Sequence, residues 1–335
     1  MTAKVAINGM GRIGRATLKI LLDTPELELV AVNDIATREN IVYLLKYDSA
    51  YGRYHKTVDL DGDDLLVDGQ RIKFVQERDP AQLPWKELGV DIALECTGFF
   101  TDAPGLEKHL EAGAKFVILS APAKGEGVPT VVHGIATPPE DAQYISAASC
   151  TTNSITPVVE IIGRRLGIQK ALLTTIHAYT STQAIVDGPS KKMRRGRAAA
   201  ANFVPTSTGA AIATAKVLPQ YAGKFDGISV RAPIPVGSVS DLVFLLEKDT
   251  TVEEVNAILK EEAATDKYKG IFLASEEEIV SSDIVGTTYA SIADLGMTRV
   301  VDGNLVKILA WYDNEWGFTS QMVREAIRVA KEKGF

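Results

Sequence analysis

Cys150 is the residue of this sequence best placed to act as a nucleophile. It lies in the stretch Ser-Cys-Thr-Thr-Asn at residues 149–153, between a short apolar run and a segment with apolar residues at helical spacing. A thiol in the first turn of a helix faces unpaired backbone N–H groups and the positive end of the helix dipole, which favour the thiolate. Pro157 falls inside this segment and predicts a kink or an interruption. The alternative is that Cys150 is a small buried core residue, the commoner role of a cysteine between apolar runs.

His177 is the best candidate for a base acting on this thiol, because it follows a buried strand predicted at residues 171–176. A histidine within hydrogen-bond distance could hold the thiolate as an ion pair and polarise a carbonyl oxygen. From spacing alone, a histidine satisfied in the core is equally compatible with the sequence. The other three histidines lie in polar or strand-like surroundings: His55, His109 and His133.

Hydroxyl and basic side chains in the second half predict sites for anions. Residues 206–209, Thr-Ser-Thr-Gly, precede a predicted helix at residues 210–218, and a hydroxyl-rich helix N-terminus suits phosphate. Thr180 and Thr182 lie shortly after the histidine, and Arg231 ends a predicted strand. A substrate that carries phosphate is therefore expected.

A glycine-rich turn near the start predicts a dinucleotide site. An apolar strand, the pattern Gly-x-Gly-x-x-Gly, a helix and a second apolar strand follow in order within the first 34 residues. Gly9 permits the tight turn, Gly11 lets a pyrophosphate approach the backbone, and Gly14 allows close packing of helix on strand. Asp34 would accept hydrogen bonds from the adenosine ribose and repel a 2′-phosphate, which favours NAD over NADP. The alternative is a plain glycine-rich turn with an exposed aspartate.

Strands that alternate with helical or loop stretches predict an open, largely parallel sheet in the first half, at residues 65–67, 91–95, 116–120 and 144–147. Ligands bind beyond the carboxyl ends of such strands, where Thr97 and Ser120 lie, and Arg78 could reach the adenine side. The second half predicts a mainly antiparallel sheet with an Asp-Gly hairpin at residues 302–303. The fold class is therefore α/β, with an N-terminal Rossmann-like doubly wound sheet and an α+β domain that has a mainly antiparallel sheet.

Length, charge and cysteine content exclude several classes of protein. With 335 residues, the chain can form two domains with substantial cores. Its net charge of −7 argues against nucleic-acid binding by the whole surface. The basic run at residues 191–197 allows a local patch, a solvated loop or a subunit contact, and we expect one of its arginines to face substrate. Two unmatched cysteines, no signal-like start and no apolar run of transmembrane length predict a cytoplasmic protein. No paired ligand spacing predicts a metal site.

Seven motifs spread along the chain carry a family resemblance, at residues 8–15, 47–49, 76–80, 148–153, 177–180, 206–211 and 311–315. On these motifs the sequence resembles the phosphorylating glyceraldehyde-3-phosphate dehydrogenases over essentially its whole length. Three features depart from the family pattern. Met10 stands beside the glycines where a phenylalanine is commoner, which is a change of packing. Ser154 stands where a second cysteine is common, and residues 232–238 differ from the usual segment, which leaves the geometry around Arg231 open.

The resemblance implies a role for each candidate residue. Cys150 would be the nucleophile and His177 its activating base. The attacking phosphate would be bound by Ser149, Thr151, Thr208, Gly209 and Arg195, and the substrate's own phosphate by Thr180, Thr182 and Arg231. NAD would contact Gly9, Gly11, Arg12, Ile13, Gly14, Asp34, Arg78, Ser120 and Asn314, with Asn314 near the nicotinamide amide.

The resemblance also implies the domains and the reaction. Residues 1–149 would form the NAD-binding domain, completed by a C-terminal helix in residues 315–335, and residues 150–314 the catalytic domain. The implied reaction oxidises glyceraldehyde 3-phosphate with NAD and inorganic phosphate to 1,3-bisphosphoglycerate through a cysteine thioester. A homotetramer is expected, with residues 179–201 as the loop at its centre and with no membrane or nucleic-acid partner. An erythrose-4-phosphate dehydrogenase and a non-catalytic NAD-binding or redox-sensing protein remain as alternatives.

Overall fold

The protein is described by a computed structural model that covers residues 2–335. The chain divides into two compact units. The first contains the residues up to His133, Thr137–Ala148 and Met322–Phe335, and the second contains Gly134–Ala136 and Ser149–Gln321. The last helix therefore divides between the units, whereas the resemblance assigned all of residues 315–335 to the first.

The first unit is built on an eight-stranded sheet. In chain order its elements are β1 (Ala3–Asn8), α1 (Arg12–Leu21), β2 (Leu27–Asn33), α2 (Arg38–Lys46), β3 (Tyr47–Asp48), β4 (Gly52–Arg53), β5 (Val58–Asp61), β6 (Asp64–Val67), β7 (Gln70–Val75), α3 (Trp85–Leu88), β8 (Ile92–Glu95), α4 (Ala103–Glu111), β9 (Phe116–Leu119) and β10 (Tyr144–Ser146). Six parallel strands lie in the order β7-β2-β1-β8-β9-β10. Numbered along the chain, they have the order 3-2-1-4-5-6 of dinucleotide-binding sheets. The predicted Rossmann-like doubly wound sheet is confirmed.

One strand of this sheet runs against the prediction. The strand predicted at residues 65–67 is β6, which lies antiparallel between β5 and β7 and not among the parallel strands. The cause is a tight turn after it, in which Asp68 and Gly69 both have positive φ, 47° and 81°. Asp-Gly favours this two-residue hairpin conformation, so the signal was present in the sequence.

The second unit is built on a seven-stranded sheet. Its elements are α5 (Cys150–Leu166), β11 (Ile168–Ala178), β12 (Val204–Ser207), α6 (Ala210–Val217), β13 (Phe225–Ala232), β14 (Ser238–Leu246), α7 (Val252–Ala263), β15 (Phe272–Ser275), β16 (Ser291–Val301) and β17 (Leu305–Tyr312), followed by α8 (Trp316–Lys333), which divides between the units. The strand order is β12-β13-β11-β14-β17-β16-β15, and four of the six pairings are antiparallel. The prediction of a mainly antiparallel sheet with helices is confirmed.

Helix α5 runs unbroken from Cys150 to Leu166 although Pro157 lies inside it, so the predicted interruption is wrong. A proline in a helix removes one backbone donor. Twelve of the seventeen residues of α5 are buried, and the helix packs on β14, β16 and β17 and on α6 and α7. Tertiary packing therefore outweighs the local cost of the proline.

No helix among residues 2–335 is both long enough and apolar enough to cross a membrane.

The part of α8 in the first unit is held there by a buried carboxylate. Glu325 is 2% exposed, its Oε2 lies 2.9 Å from His133 Nδ1, and its Oε1 accepts from Arg328 Nη2 at 2.6 Å. Burial raises the pKa of Glu325, but the hydrogen bonds from His133 and Arg328 outweigh it and hold the pKa below its usual range. The ionised carboxylate therefore stabilises the folded state.

We expect Glu325→Gln to lower the free energy of unfolding by about 3 kcal/mol at neutral pH, because it removes a buried negative charge that the partly buried His133 and Arg328 face. A depressed pKa means that this contribution is present above the ordinary carboxyl range and is lost as the pH falls through the folded pKa. Urea titrations at pH 7 and near pH 3 should therefore show a difference between wild type and variant that shrinks in acid. Glu332→Gln is the control, since Glu332 pairs with the same Arg328 but is exposed. Equal losses in both variants would contradict the prediction.

Candidate active site

Cys150 is the first residue of α5, and the helix N-cap lies directly before it. The Ser149 side chain caps the helix by accepting from Thr152 N at 3.1 Å, and its Oγ lies 2.7 Å from the Thr152 hydroxyl. Two residues before the cysteine, Ala148 has a φ of 61°, a left-handed conformation that is costly for a residue other than glycine. The thiol is thus presented at a helix N-terminus, as the sequence predicts.

The predicted base lies against this thiol. His177, near the end of β11, is 4% exposed, and its Nε2 lies 3.3 Å from Cys150 Sγ. The other ring nitrogen, Nδ1, lies 2.7 Å from the Ala178 carbonyl oxygen. With its Nδ1–H donated to that carbonyl, a neutral ring presents the Nε2 lone pair to the thiol. The fold thus brings the predicted nucleophile and the predicted base, 27 residues apart in the sequence, into contact.

Arg231, from the neighbouring strand β13, adds a positive charge to this pair. Its Nη1 lies 2.8 Å from His177 Nδ1 and 3.0 Å from the Ala178 carbonyl oxygen. Because a guanidinium N–H can only donate, in the tautomer with a proton on Nδ1 its hydrogen bond goes to the carbonyl oxygen and not to the ring. Burial and this charge lower the pKa of His177 to about 3, so the ring is neutral at pH 7 and can accept a proton. Burial raises the pKa of the Cys150 thiol, although the charge of Arg231 and hydrogen bonds from Thr151 oppose it. The position at the helix start therefore does not by itself bring the pKa of this thiol below its ordinary value.

A buried tyrosine, Tyr312, packs against His177 and hydrogen-bonds to the residue after Cys150. The Tyr312 hydroxyl lies 2.9 Å from Thr151 Oγ1 and 2.8 Å from Thr175 Oγ1, and its ring meets the His177 ring edge to face at 5.9 Å. Tyr312 was not predicted as a site residue, although it is the last residue of β17 and lies in the motif at residues 311–315. The hydroxyl of Thr151 is thus turned to the interior, so phosphate would meet the backbone of this residue rather than its side chain.

The residues predicted for the two anions fall into neighbouring groups. Thr180 Oγ1 lies 2.9 Å from Thr182 Oγ1, and Arg195 reaches Thr182 Oγ1 at 3.3 Å and Thr206 Oγ1 at 3.0 Å. Arg195 was assigned to the attacking phosphate and Thr182 to the substrate's phosphate, so one arginine joins the two predicted sites. The charge of Arg195 also lowers the pKa of His177.

The remaining two predicted phosphate residues stand at the start of α6. Gly209 is the residue before this helix, and Thr208 Oγ1 accepts from Ala210 N at 3.2 Å. The first turn of α6 therefore offers further N–H donors. No hydrogen bond within residues 2–335 joins Thr208 or Gly209 to Arg195.

Asn314 has an oriented amide. Its Oδ1 accepts from Gly237 N and from the Ser238 hydroxyl, both at 3.0 Å, and Ser238 Oγ in turn accepts from Ala178 N at 3.2 Å. With the oxygen taken by two donors, Nδ2 is the group that a ligand carbonyl could meet. The segment at residues 232–238, whose sequence departs from the family, thus positions Asn314 beside the strand of His177.

The first unit contains a cavity of about 560 Å³ at the glycine-rich turn. It is lined by Asn8, Gly9, Gly11, Asn33, Asp34, Ile35, Glu77, Arg78, Cys96, Thr97, Phe99 and Phe100. The volume and the mixture of apolar walls with a few polar groups are typical of a cofactor site. Of the predicted cofactor residues, Gly9, Gly11, Asp34 and Arg78 line this cavity.

The glycine positions fit a dinucleotide. Gly9 has a φ of 98°, and a Cβ on Gly14 would lie 1.9 Å from the Gly9 carbonyl oxygen, so only glycine allows this turn and this packing. Asp34 Oδ2 accepts from Met10 N at 2.6 Å and Oδ1 from Ala36 N at 2.8 Å. Each carboxylate oxygen keeps a second lone pair for a ribose hydroxyl.

Other predicted cofactor residues do not line the cavity. Arg12 Nη1 donates to Asp48 Oδ2 at 2.7 Å, and its guanidinium lies over the ring of Tyr51. Ile13 is in the first turn of α1, and Ser120 directly follows β9. The sequence analysis did not predict seven of the lining residues, although all lie at or shortly after the carboxyl ends of strands, which was a usable signal: Asn8, Asn33, Ile35, Glu77, Cys96, Phe99 and Phe100.

Two family models match the chain. The model described as "Glyceraldehyde 3-phosphate dehydrogenase, NAD binding domain" matches residues 3–103, and the one described as "Glyceraldehyde 3-phosphate dehydrogenase, C-terminal domain" matches residues 149–314. Among curated relatives, the glyceraldehyde-3-phosphate dehydrogenase of Geobacillus stearothermophilus is 48% identical over 335 residues, which is 99% of each chain. That of Thermotoga maritima is 49% identical over 325 residues, 96% of this chain and 97% of the relative. That of Zymomonas mobilis is 46% identical over 335 residues, 99% of each chain.

Proposed function

Because this chain belongs to the glyceraldehyde 3-phosphate dehydrogenase family, we propose that it oxidises glyceraldehyde 3-phosphate with NAD and inorganic phosphate to 1,3-bisphosphoglycerate. The observation that carries the proposal is the contact of 3.3 Å between His177 Nε2 and Cys150 Sγ at the N-terminus of a buried helix. A neutral imidazole beside a protonated thiol is the arrangement that a covalent mechanism requires.

The reaction begins with transfer of the thiol proton to His177 Nε2. The Cys150 thiolate adds to the aldehyde carbon, and the protonated ring then donates to the new alkoxide. NAD, when bound, would supply the acceptor for the hydride that leaves the aldehyde-derived carbon as its C–H bond breaks. As the carbonyl re-forms, His177 takes the hydroxyl proton, and the acyl group remains on Cys150 as a thioester. Inorganic phosphate attacks this thioester and releases the thiolate, so the oxidation energy is kept in the acyl phosphate.

The two phosphates require two anion sites, and the arginines of the second unit suit this role. Arg231 Nε is buried and has no hydrogen-bond partner among residues 2–335, which favours an anionic ligand there. A phosphate on Arg231 would also offset the charge that lowers the pKa of His177, so binding of the substrate would make proton transfer to the ring easier. We assign the substrate's phosphate to Arg231, Thr180 and Thr182. The attacking phosphate is assigned to Arg195, Thr208, Gly209, Ser149 and Thr151.

The nicotinamide end of NAD is assigned to Asn314, whose Nδ2 would donate to the carboxamide oxygen. The adenosine end is assigned to the cavity of the first unit, where Asp34 would accept from the ribose hydroxyls. We also propose a cytoplasmic location, because both cysteines are free thiols and reducing compartments keep thiols in this form.

We further propose that the protein is a homotetramer. Apolar side chains lie exposed on one face of the sheet in the second unit and in the loop beside it: Leu172, Ile185, Val186, Met193, Phe203, Ile228, Val301 and Leu305, each at least 41% exposed. Contiguous exposed apolar surface marks a contact with another chain. Light scattering of the purified protein should give about four times the chain mass of 36.1 kDa. A monomer at micromolar concentration would exclude this assembly.

The function is tested by following NADH formation with glyceraldehyde 3-phosphate and NAD, with and without inorganic phosphate. We expect turnover that depends on phosphate. Equal turnover without phosphate would mean that water hydrolyses the thioester, and the assignment of the second anion site would be wrong. Preferred turnover of erythrose 4-phosphate, assayed in parallel, would replace the proposed substrate with that sugar.

A further inference from the structure

A buried carboxylate that the proposed mechanism does not use lies behind the cofactor cavity. Glu95, the last residue of β8, is 0% exposed. Its Oε2 accepts from Asn8 Nδ2 at 2.6 Å and faces His109 Nε2 at 3.1 Å. Its Oε1 accepts from Thr97 N at 2.7 Å and from the Thr97 hydroxyl. Asn8 and Thr97 line the cavity, whereas Glu95 does not.

The side of Glu95 away from the cavity is set by an indole. Trp85 Nε1 donates to His109 Nδ1 at 3.0 Å, and both side chains are fully buried. Because an indole N–H can only donate, His109 Nδ1 carries the lone pair and the ring proton is on Nε2. His109 therefore donates to Glu95. The sequence had placed His109 in polar surroundings, but it is a core residue.

On the cavity side, the carboxylate sets the direction of a chain of amides. A carboxylate only accepts, so Asn8 must turn its NH₂ group to Glu95 and its oxygen away from it. That oxygen accepts from Asn33 Nδ2 at 2.7 Å. Asn33 Oδ1 then accepts from Glu77 N at 2.8 Å, and Asn33 Nδ2 also donates to the Glu77 carbonyl oxygen at 2.8 Å. One charge thus determines which atoms the ends of β1 and β2 present, and where the residues before Arg78 lie.

We propose that Glu95 is a positioning residue for NAD: its buried carboxylate orients Asn8, Asn33 and Thr97 in the wall of the cofactor cavity. Glu95 does not touch the cofactor and acts only through these three residues. Their alignment before binding removes the cost of reorienting two amides and one hydroxyl when the ligand enters. The inference rests on NAD binding by the first unit and is independent of the chemistry proposed for Cys150.

Glu95→Gln tests the proposal. Glutamine places an NH₂ group where one carboxylate oxygen was, so it opposes either the donors Asn8 and His109 or the two donors of Thr97. We expect the Kd for NAD, and equally the Kd for ADP-ribose, to rise by about 10- to 100-fold, measured by titration calorimetry without substrate. The kcat at saturating NAD should change less than about threefold, because the reacting groups are untouched.

Asn33→Asp is a second test variant, in which the new side chain has nearly the shape of asparagine. Asn33 is two hydrogen bonds away from Glu95, with Asn8 between them. It sets a carboxylate oxygen against the oxygen of Asn8, so we expect a similar loss of NAD affinity. The double variant should be little worse than the worse single variant, because both changes break one chain. Ile35→Ala is the matched control. Ile35 lines the same cavity without joining the network, so its effect should add to that of Glu95→Gln.

The outcomes separate the possibilities. Folded Glu95→Gln that binds NAD with wild-type affinity would overturn the proposal, and so would full additivity of Glu95→Gln with Asn33→Asp. If Glu95→Gln does not fold, wild-type NAD affinity in Asn33→Asp would overturn it and a loss of affinity would support it. Wild-type protein that binds NAD but lacks turnover would remove the proposed function and leave this inference standing.

Discussion

Replacing Cys150 with serine should lower kcat for NADH formation by at least about 10⁴-fold, with NAD affinity unchanged. The serine hydroxyl has a far higher pKa than a thiol, and burial disfavours its ionisation further, so His177 cannot generate a comparable nucleophile. Without a thiolate no thioester forms, and phosphate has nothing to attack. The measurement is the initial rate of absorbance change at saturating substrate, NAD and phosphate.

The matched control is Cys96→Ser, the other cysteine of the chain. Burial raises the pKa of Cys96 to about 12, and its thiol lies in the wall of the cofactor cavity. At saturating NAD this variant should keep most of its kcat, because the Cys96 thiol takes no part in the proposed covalent chemistry. Alkylation with iodoacetamide followed by peptide mass spectrometry should modify Cys150 and leave Cys96 intact. Retention of more than about a tenth of the activity in Cys150→Ser would rule out the covalent mechanism.

Replacing His177 with asparagine should lower kcat by about 10²- to 10⁴-fold, because the variant can donate a hydrogen bond but cannot take the thiol proton. The KM for glyceraldehyde 3-phosphate should change much less, since Arg231 and the threonines are kept. His55→Asn is the control, because His55 is exposed and lies in the first unit. A loss of less than about tenfold in His177→Asn would mean that another group accepts the proton.

The same variant should alter the pH dependence of stability. The pKa of His177 is lowered to about 3 in the folded protein, so between about pH 6.5 and 3 only the unfolded chain binds this proton. The folded state is therefore destabilised as the pH falls, by about 1.4 kcal/mol per pH unit, or about 2 kcal/mol at pH 5. His177→Asn lacks this penalty. Urea unfolding at pH 7 and pH 5 should show that the free energy of unfolding decreases less in this variant than in wild type and in His55→Asn. Equal decreases in all three proteins would contradict a neutral His177.

Local signals in the sequence were sufficient to predict much of the structure of the first unit. The glycine pattern, the following helix and Asp34 lie within 34 residues, and their geometry depends on backbone angles and packing that only particular residues allow. In the structure Gly9 has a positive φ, Gly14 has no room for a Cβ, and Asp34 lies in the wall of the cavity. The Asp68-Gly69 hairpin was equally local, because it depends on two adjacent residues that adopt positive φ.

Such local signals could not predict contacts between residues that are far apart in the sequence. Nothing in the spacing of 27 residues between Cys150 and His177 requires contact, and the site depends on β11 lying beside the N-terminus of α5. The same is true of Arg231, which reaches His177 because β13 pairs with β11 in register. Tyr312 contacts Thr151 and the His177 ring although it is more than 130 residues later in the chain, and no local sequence pattern indicates these contacts.

The sequence by itself determined the fold class, the glycine turn, the cysteine at a helix start and the family. Each of these depends on residue type at short range, where sterics and hydrogen bonding leave few choices. Only the tertiary structure decided that Pro157 leaves α5 unbroken, that Thr151 turns its hydroxyl inward and that His109 and Glu95 form a buried network. These outcomes depend on burial, because low-dielectric surroundings decide whether a polar group is paired and a packed helix tolerates a missing hydrogen bond.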